Sequence, residues 1–306
     1  MLTPLYTISK YFVNPLVISG MRMLCYHITK ITRKRSAMDN QPSPLLTVEH
    51  LTLSLDGDVK IHDLNFTLYA GERLCLLGAS GSGKSLTAAA ILGTLPTGAT
   101  VNGSIRLQGQ ELAGRHLQQR KRPALAAIFQ DPFTSLNPLT RVGQQLILAL
   151  QGQNNMKKQR AQRCAIELLA VLGLPPEIIM SRYPGQLSGG QCQRVCAALA
   201  LVGEKSLLIA DEPTTALDMV SQHQLIEILK AYTERPHAPA LLFITHDLTV
   251  AANLCQRAIV MVDGKIVAQG SFAQLLHHPA HPYTRQLVAT AQRPTFKRTS
   301  PLSLVG

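Results

Sequence analysis

The chain has 306 residues, enough for one large α/β domain or two small ones, and its 46% hydrophobic content is ordinary for a globular protein. No stretch holds the roughly 18 uninterrupted apolar residues of a membrane span. The net charge of +12 suggests nucleic acid, but six of those charges lie in residues 1–37 and three in 291–306, leaving only +3 on the body from 38 to 290. Basic tails on a near-neutral body are not the basic face that DNA or RNA requires. They suit an anionic membrane surface, or are simply solvated. The six cysteines (25, 75, 164, 192, 196 and 255) form no CxxC pair and read as reduced thiols of a cytosolic protein. Cys192 and Cys196 share a helical face, where packing is the expected role.

Residues 1–37 are moderately apolar but broken by Asn14, Pro15, Gly20 and Arg22, with the basic residues after the apolar run. That order makes a poor secretory signal. The segment is expected to lie outside the fold, as a disordered extension or as sequence ahead of a true start at Met38.

A regular pattern begins at Leu45. LLTVEHLTLSL alternates as a strand does; the turn Asp56-Gly57-Asp58 follows, then a second strand in IHDLNFTLYAGE. RLCLLG, residues 73–78, is a short apolar strand running into GASGSGKS, and SLTAAAILGTL, 85–95, is a helix expected to stop at Pro96 and Gly98. Over 131–185 the pattern turns helical, in VGQQLILAL and in KKQRAQRCAIELLAVLGL closed by Gly173 and Pro175. This predicts a helical insertion, a lobe of about 131–195 once the helix after LSGGQ is included. Alternation of strand and helix then returns: SLLIADEP, SQHQLIEILKAYT, PALLFITHD, and a hairpin in AIVMVDGKIVAQG turning at Asp263-Gly264. A domain spanning 45–290 with a basic tail at 291–306 is the expected organisation.

GASGSGKS fits GxxxxGK[ST], set between an apolar strand and a helix as a P-loop must be. Gly78, Ala79, Ser80, Gly81, Ser82 and Gly83 let backbone N–H groups wrap phosphates, with the N-terminus at Ser85 and Leu86 adding its dipole. Lys84 carries positive charge to the β/γ-phosphates, and the Ser85 hydroxyl is a Mg²⁺ ligand. Asp211, ending a buried strand, is placed to hold Mg²⁺, and Glu212 to orient the attacking water. Gln130 and His246 also follow apolar strands, on the side of a parallel sheet where ligands bind. LSGGQ, residues 187–191, opens a helix and reads as a second anion site, although the P-loop lies about a hundred residues upstream.

These motifs, in this order, resemble the ATPase subunits of ABC transporters: Walker A at 78–85, the Q-loop at Gln130, the signature at 187–191, Walker B at 207–212, the D-loop in TALD ending at Asp218, and the switch histidine at His246. The resemblance covers about residues 45–290. It implies a P-loop NTPase fold with a mostly parallel central sheet, an antiparallel β subdomain and a helical lobe. It implies ATP and Mg²⁺ as ligands, Lys84, Gln130, Glu212 and His246 in catalysis, and Ser85, Gln130 and Asp211 around the metal. It also accounts for two anion sites in one chain. Two subunits pair head to tail, and Ser188, Gly189, Gly190 and Gln191 of one complete the γ-phosphate cage of the other.

FQDPFTSLNPLT (129–140) and HPYTRQLVA (281–289) resemble the importer branch that takes up di- and oligopeptides and nickel, and GKSLTAAAILGTLPTGA resembles the nickel importers most. The implied partners are a second ATPase, either a paralogue or another copy, two membrane permease subunits and, indirectly, an extracytoplasmic substrate-binding protein. The implied place is the cytoplasmic face of the inner membrane. In many relatives an aromatic residue stacks on adenine; the aligned position here is about Leu55, so weaker discrimination of ATP from GTP is expected. His277, His278 and His281 raise a metal site, but HPYT belongs to the family pattern and the segment resembles a helix start. Two rival readings are a nucleic-acid-associated ABC ATPase, whose coiled-coil insertion or tandem halves are missing here, and a non-catalytic partner subunit, against which every hydrolytic residue is present.

Overall fold

A computed structural model describes residues 44–113, 124–154, 156–215 and 217–292. The N-terminal extension and the basic tail from residue 293 lie outside the described residues. Strand β1, Pro44–Leu55, buries Leu46, Val48, Leu51 and Leu53. The inward parity changes from even to odd at a bulge, where His50 adopts φ 51°. β1 turns through Asp56 and Gly57, both at positive φ (49° and 89°), into β2, Asp58–Tyr69. β4, Ala99–Leu107, and the short β5, Gln110–Glu111, complete a four-stranded antiparallel sheet in the order β2-β1-β4-β5. These two strands escape the sequence reading because β4 buries only Ile105 and Leu107, too few to show a period.

The second sheet has six strands: β3, Arg73–Gly78; β6, Leu125–Ile128; β7, Leu207–Asp211; β8, Ala240–Thr245; β9, Arg257–Val262; and β10, Lys265–Ser271. Their order is β10-β9-β3-β8-β7-β6. All neighbours are parallel except β10, which returns from β9 over Asp263 and Gly264, again both at positive φ. The parallel strands are apolar throughout because both faces are covered. Cys75, Leu77, Leu208, Phe243 and Val260 face one core, with the helices that follow β6 and β7. Leu74, Leu76, Ile209, Ile244 and Ile259 face another, against the antiparallel sheet.

Helix α1, Lys84–Leu92, ends at Gly93, whose φ of 73° closes it. The expected stop at Pro96 and Gly98 is therefore one turn late, because a left-handed glycine stops a helix before a downstream proline can. Between β6 and β7 lie α2, Val142–Asn154, α3, Lys158–Val171, the short α4, Pro176–Ile179, and α5, Gly189–Leu201. The helical patterns VGQQLILAL and KKQRAQRCAIELLAVLGL fall on α2 and α3, and residues 131–141 ahead of them are not helical. There the side chains of Asp131 and Asn137 accept from the N–H groups of Phe133 and Leu139, and the chain turns instead. Helices α6, Met219–Thr233, α7, Leu248–Leu254, α8, Phe272–His277, and α9, Pro282–Ala291, complete the described chain. No described helix is long and apolar enough to cross a membrane.

Candidate active site

The loop between β3 and α1 is held from below as well as by its own glycines. At Gly78 a Cβ would come within 2.5 Å of both the Met261 carbonyl oxygen and Ser82 Oγ, so only glycine fits. Gly83 caps α1 at φ 97°, with no side-chain cap, so the first N–H groups of the helix remain for a ligand. Ser80, Gly81 and Ser85 stand exposed on the rim, while Ser82 and Lys84 are buried. The Ser82 hydroxyl is buried without a partner. A support that the sequence did not reveal is the β9–β10 turn. The Gly264 N–H donates to the Ser82 carbonyl at 3.2 Å, and the Gly264 carbonyl accepts from His62 N–H at 2.9 Å. A Cβ at Gly264 would meet the Lys60 carbonyl at 2.2 Å. Asp263-Gly264 reads as an ordinary hairpin turn in the sequence; nothing local marks it as a prop for the P-loop.

Lys84 reaches back over the loop, its Nζ donating to the carbonyls of Gly78 at 2.9 Å and Ala79 at 2.8 Å. Burial lowers its pKa, opposed by the charges of Glu212 and Asp211. The Ser85 hydroxyl donates to Asp211 Oδ1 at 3.1 Å. Burial raises the Asp211 pKa, against the Ser85 hydrogen bond, and the neighbouring Glu212 charge raises it further. The pair supplies two oxygens, one of them on a carboxylate short of positive charge. That donor set fits Mg²⁺, which takes one or two protein ligands and completes its shell with phosphate and water.

Glu212 turns sharply away from β7. Its φ is 44°, a strained value for a non-glycine residue, held by its N–H donating to the Ile244 carbonyl at 2.9 Å. The turn aims its carboxylate along the ends of the strands. Thr215 Oγ1 lies 2.9 Å from the Glu212 carbonyl oxygen and 3.2 Å from Oε2, and His246 Nδ1 lies 3.5 Å from Oε1. Thr215 is a positioning contact that the sequence reading passed over; its place in ADEPTTALD, three residues after Glu212, was the available signal.

The structure thus gathers residues 78–86, Asp211, Glu212 and His246 at the C-terminal ends of β3, β7 and β8. Gln130 lies exposed two residues past β6, next to β7, and makes no hydrogen bond to Ser85 or Asp211 among the described residues. Ser188, Gly189, Gly190 and Gln191 are elsewhere, at the start of α5, which packs against β6. Three strand spacings separate β3 from β6, about 14 Å at the usual interval. The Ser188 hydroxyl accepts from Gln191 N–H at 3.2 Å, and Gln191 Oε1 accepts from Ser188 N–H at 3.1 Å, a reciprocal cap closed within the helix. Asp218 caps α6 by accepting from the Val220 and Ser221 N–H groups. Of the three histidines at and after the end of α8, His277, His278 and His281, the last is engaged as the cap of α9, its Nδ1 accepting from Tyr283 N–H. No cluster of three or more His, Cys, Asp or Glu side chains suited to a metal occurs among the described residues.

The family model described as ABC transporter matches residues 61–215. The chain belongs to the ABC transporter family. This ABC ATPase is 40% identical over 258 residues to the "Probable D,D-dipeptide transport ATP-binding protein DdpD" of Escherichia coli K12, covering 81% of this chain and 78% of that one. It is 39% identical to the oligopeptide transport ATP-binding protein OppD of the same organism, over 87% of this chain and 81% of OppD. OppD of Bacillus subtilis is 41% identical over 80% of this chain and 71% of its own length. The dimeric ATP-binding cassette MJ0796, solved in a post-hydrolysis state with ADP and Pi, matches with a TM-score of 0.66 at 26% identity, covering 74% of this chain and 99% of that one. Like these cassettes, the ABC ATPase binds ATP and is the ATP-hydrolysing subunit of an importer. The names of these relatives concern peptides and lend no support to the nickel preference.

Proposed function

We propose that this ATPase drives uptake of di- or oligopeptides from the cytoplasmic face of the inner membrane, as half of a head-to-tail ATPase pair bound to two permease subunits and served by an extracytoplasmic binding protein. The ATPase unit is residues 45–290, with a helical lobe over about 131–195. The observation that carries this reading is the arrangement described above: a phosphate cradle at the ends of β3, β7 and β8, and a signature turn at the start of α5 whose hydrogen bonds cap only its own helix.

In this reading the N–H groups of 79–86 and Lys84 bind the β- and γ-phosphates. Ser85 and Asp211, with Gln130 brought in from the rim, hold Mg²⁺, which when bound neutralises phosphate charge. Glu212, steered by Thr215 and His246, orients the attacking water. Ser188, Gly189, Gly190 and Gln191 face the γ-phosphate held by the partner subunit. Phe133 and Leu139, exposed on the turns after Gln130, suit a permease helix. The partner is a paralogue or a second copy. The exposed side chains of Met219 and Val220 beside Asp218 are the apolar surface expected where two ATPases meet.

Specific activity should rise with protein concentration or on adding the partner ATPase, and Ser188→Ala should lower it about tenfold at saturating ATP. A dilute monomer hydrolysing ATP at full rate, indifferent to Ser188, would sink the proposal. Nickel remains the second reading for the cargo, favoured by residues 83–99. Uptake of labelled dipeptide against labelled nickel by cells carrying the whole system, with Glu212→Gln as the silent control, separates the two.

A further inference from the structure

Helix α5 has a use beyond presenting Ser188. Gln193, five residues past Ser188, has a side chain that is 1% exposed. Its Nε2 donates to the Phe129 carbonyl at 3.0 Å. Its Oε1 is buried with no partner. Burying an amide and leaving half of it unpaired is costly, and an apolar side chain of the same length would avoid that cost. The amide is therefore expected to act through its one bond. That bond grips the residue immediately before Gln130. One turn further along the same face, the Cys196 thiol donates to the Pro132 carbonyl at 3.3 Å. The two side chains hold the backbone on either side of Gln130 and leave Gln130 itself exposed. Arg194, between them on another face, donates to the carbonyls of Leu172 and Gly173 at 3.3 Å, fixing α5 to the end of α3.

We propose that Gln193 is a positioning residue that makes the Gln130 turn and the signature turn one rigid piece. When Gln130 moves toward the nucleotide of its own chain, the amide carries α5, and with it Ser188, toward the nucleotide of the partner. An α-helix transmits such a displacement because five residues span only about 7.5 Å of hydrogen-bonded rod. Cys196 is the second, weaker tie. The inference rests on the assignment of Gln130 and Ser188 to the composite site above.

The test is steady-state ATP hydrolysis by the full chain with its ATPase partner. Gln193→Met removes the amide at nearly constant volume. Its KM for ATP should stay within about twofold while kcat falls about tenfold, since binding uses the P-loop and turnover needs both turns in place. Gln130→Ala should lower kcat as well. The double variant should be no slower than the slower single variant, because both break the same link. Multiplying losses would overturn the proposal, as would an unchanged kcat in Gln193→Met. If Gln193→Met fails to fold, Cys196 serves. Cys196→Ala should lower kcat several-fold and Cys196→Ser, which restores a donor to Pro132, should recover it. Equal loss in both would show packing alone and overturn the tie. Should Gln130→Ala leave kcat intact, the composite-site reading fails; should it slow turnover while Gln193→Met does not, only the tie fails.

Discussion

The P-loop and the LSGGQ turn of this ATPase are built on opposite plans. The P-loop is wedged from beneath: Gly78 against Met261, Ser82 against Gly264, Lys84 folded over its own loop and Ser85 tied to Asp211. The signature turn is open: Ser188 is exposed, a Cβ on Gly189 would touch nothing within 4 Å, and its hydrogen bonds close within one helix. One turn is finished by the fold; the other, in the function proposed above, is completed by a second subunit.

The largest expected effect tests the finished side. Glu212→Gln should retain ATP affinity within a few-fold but lower kcat by about 10³, within the usual range for loss of a general base, in single-turnover assays. Undiminished turnover would move that role elsewhere. The contrast itself is sharpened by one substitution made in both turns. Gly78→Ala forces a backbone clash and should weaken ATP binding at least tenfold by calorimetry. Gly189→Ala should bind ATP normally and lose turnover only, about tenfold, because the intruding methyl meets the partner's nucleotide. If the two variants failed alike, the difference in design would be illusory.

Ser188→Ala is expected to act twice. Removing the cap of α5 should cost about 1 kcal/mol, or about 2–4 °C in Tm, and the loss of turnover should exceed what that destabilisation explains. Matching the stability change with a cap substitution at Ser271, far from the site, isolates the catalytic part. The smallest effect is expected at Leu55, half-buried at the tip of the β1–β2 hairpin. Leu55→Tyr offers a ring for adenine and should raise preference for ATP over GTP several-fold in a competition assay. Strong ATP preference in the unaltered protein would argue against that role for the hairpin.

Much of the nucleotide half was legible because its chemistry is local. GASGSGKS specifies a loop through residue types that few other conformations use, and apolar runs such as LLFIT specify strands buried on both faces. The misses were where local signals were weak or outcompeted. β4 shows no period because most of it is solvated. The first helix ended at Gly93, where a left-handed glycine acts before the proline. Thr215 could have been found from its spacing to Glu212, whereas Gly264 and Gln193 could not, since each meets its partner, Ser82 or Phe129, across a long stretch of chain.

The amino-acid order alone determined the family, the strand-loop-helix context of the P-loop and the identity of the acids at the strand ends, all of which follow from contacts between near neighbours. Only the tertiary structure decided which distant groups support them: that the β9–β10 turn props the P-loop, that Glu212 is bent into line by β8, and that α5 holds the turn carrying Gln130. Such contacts depend on strand order and packing, where residues dozens to nearly two hundred positions apart become neighbours, and no short-range pattern encodes them.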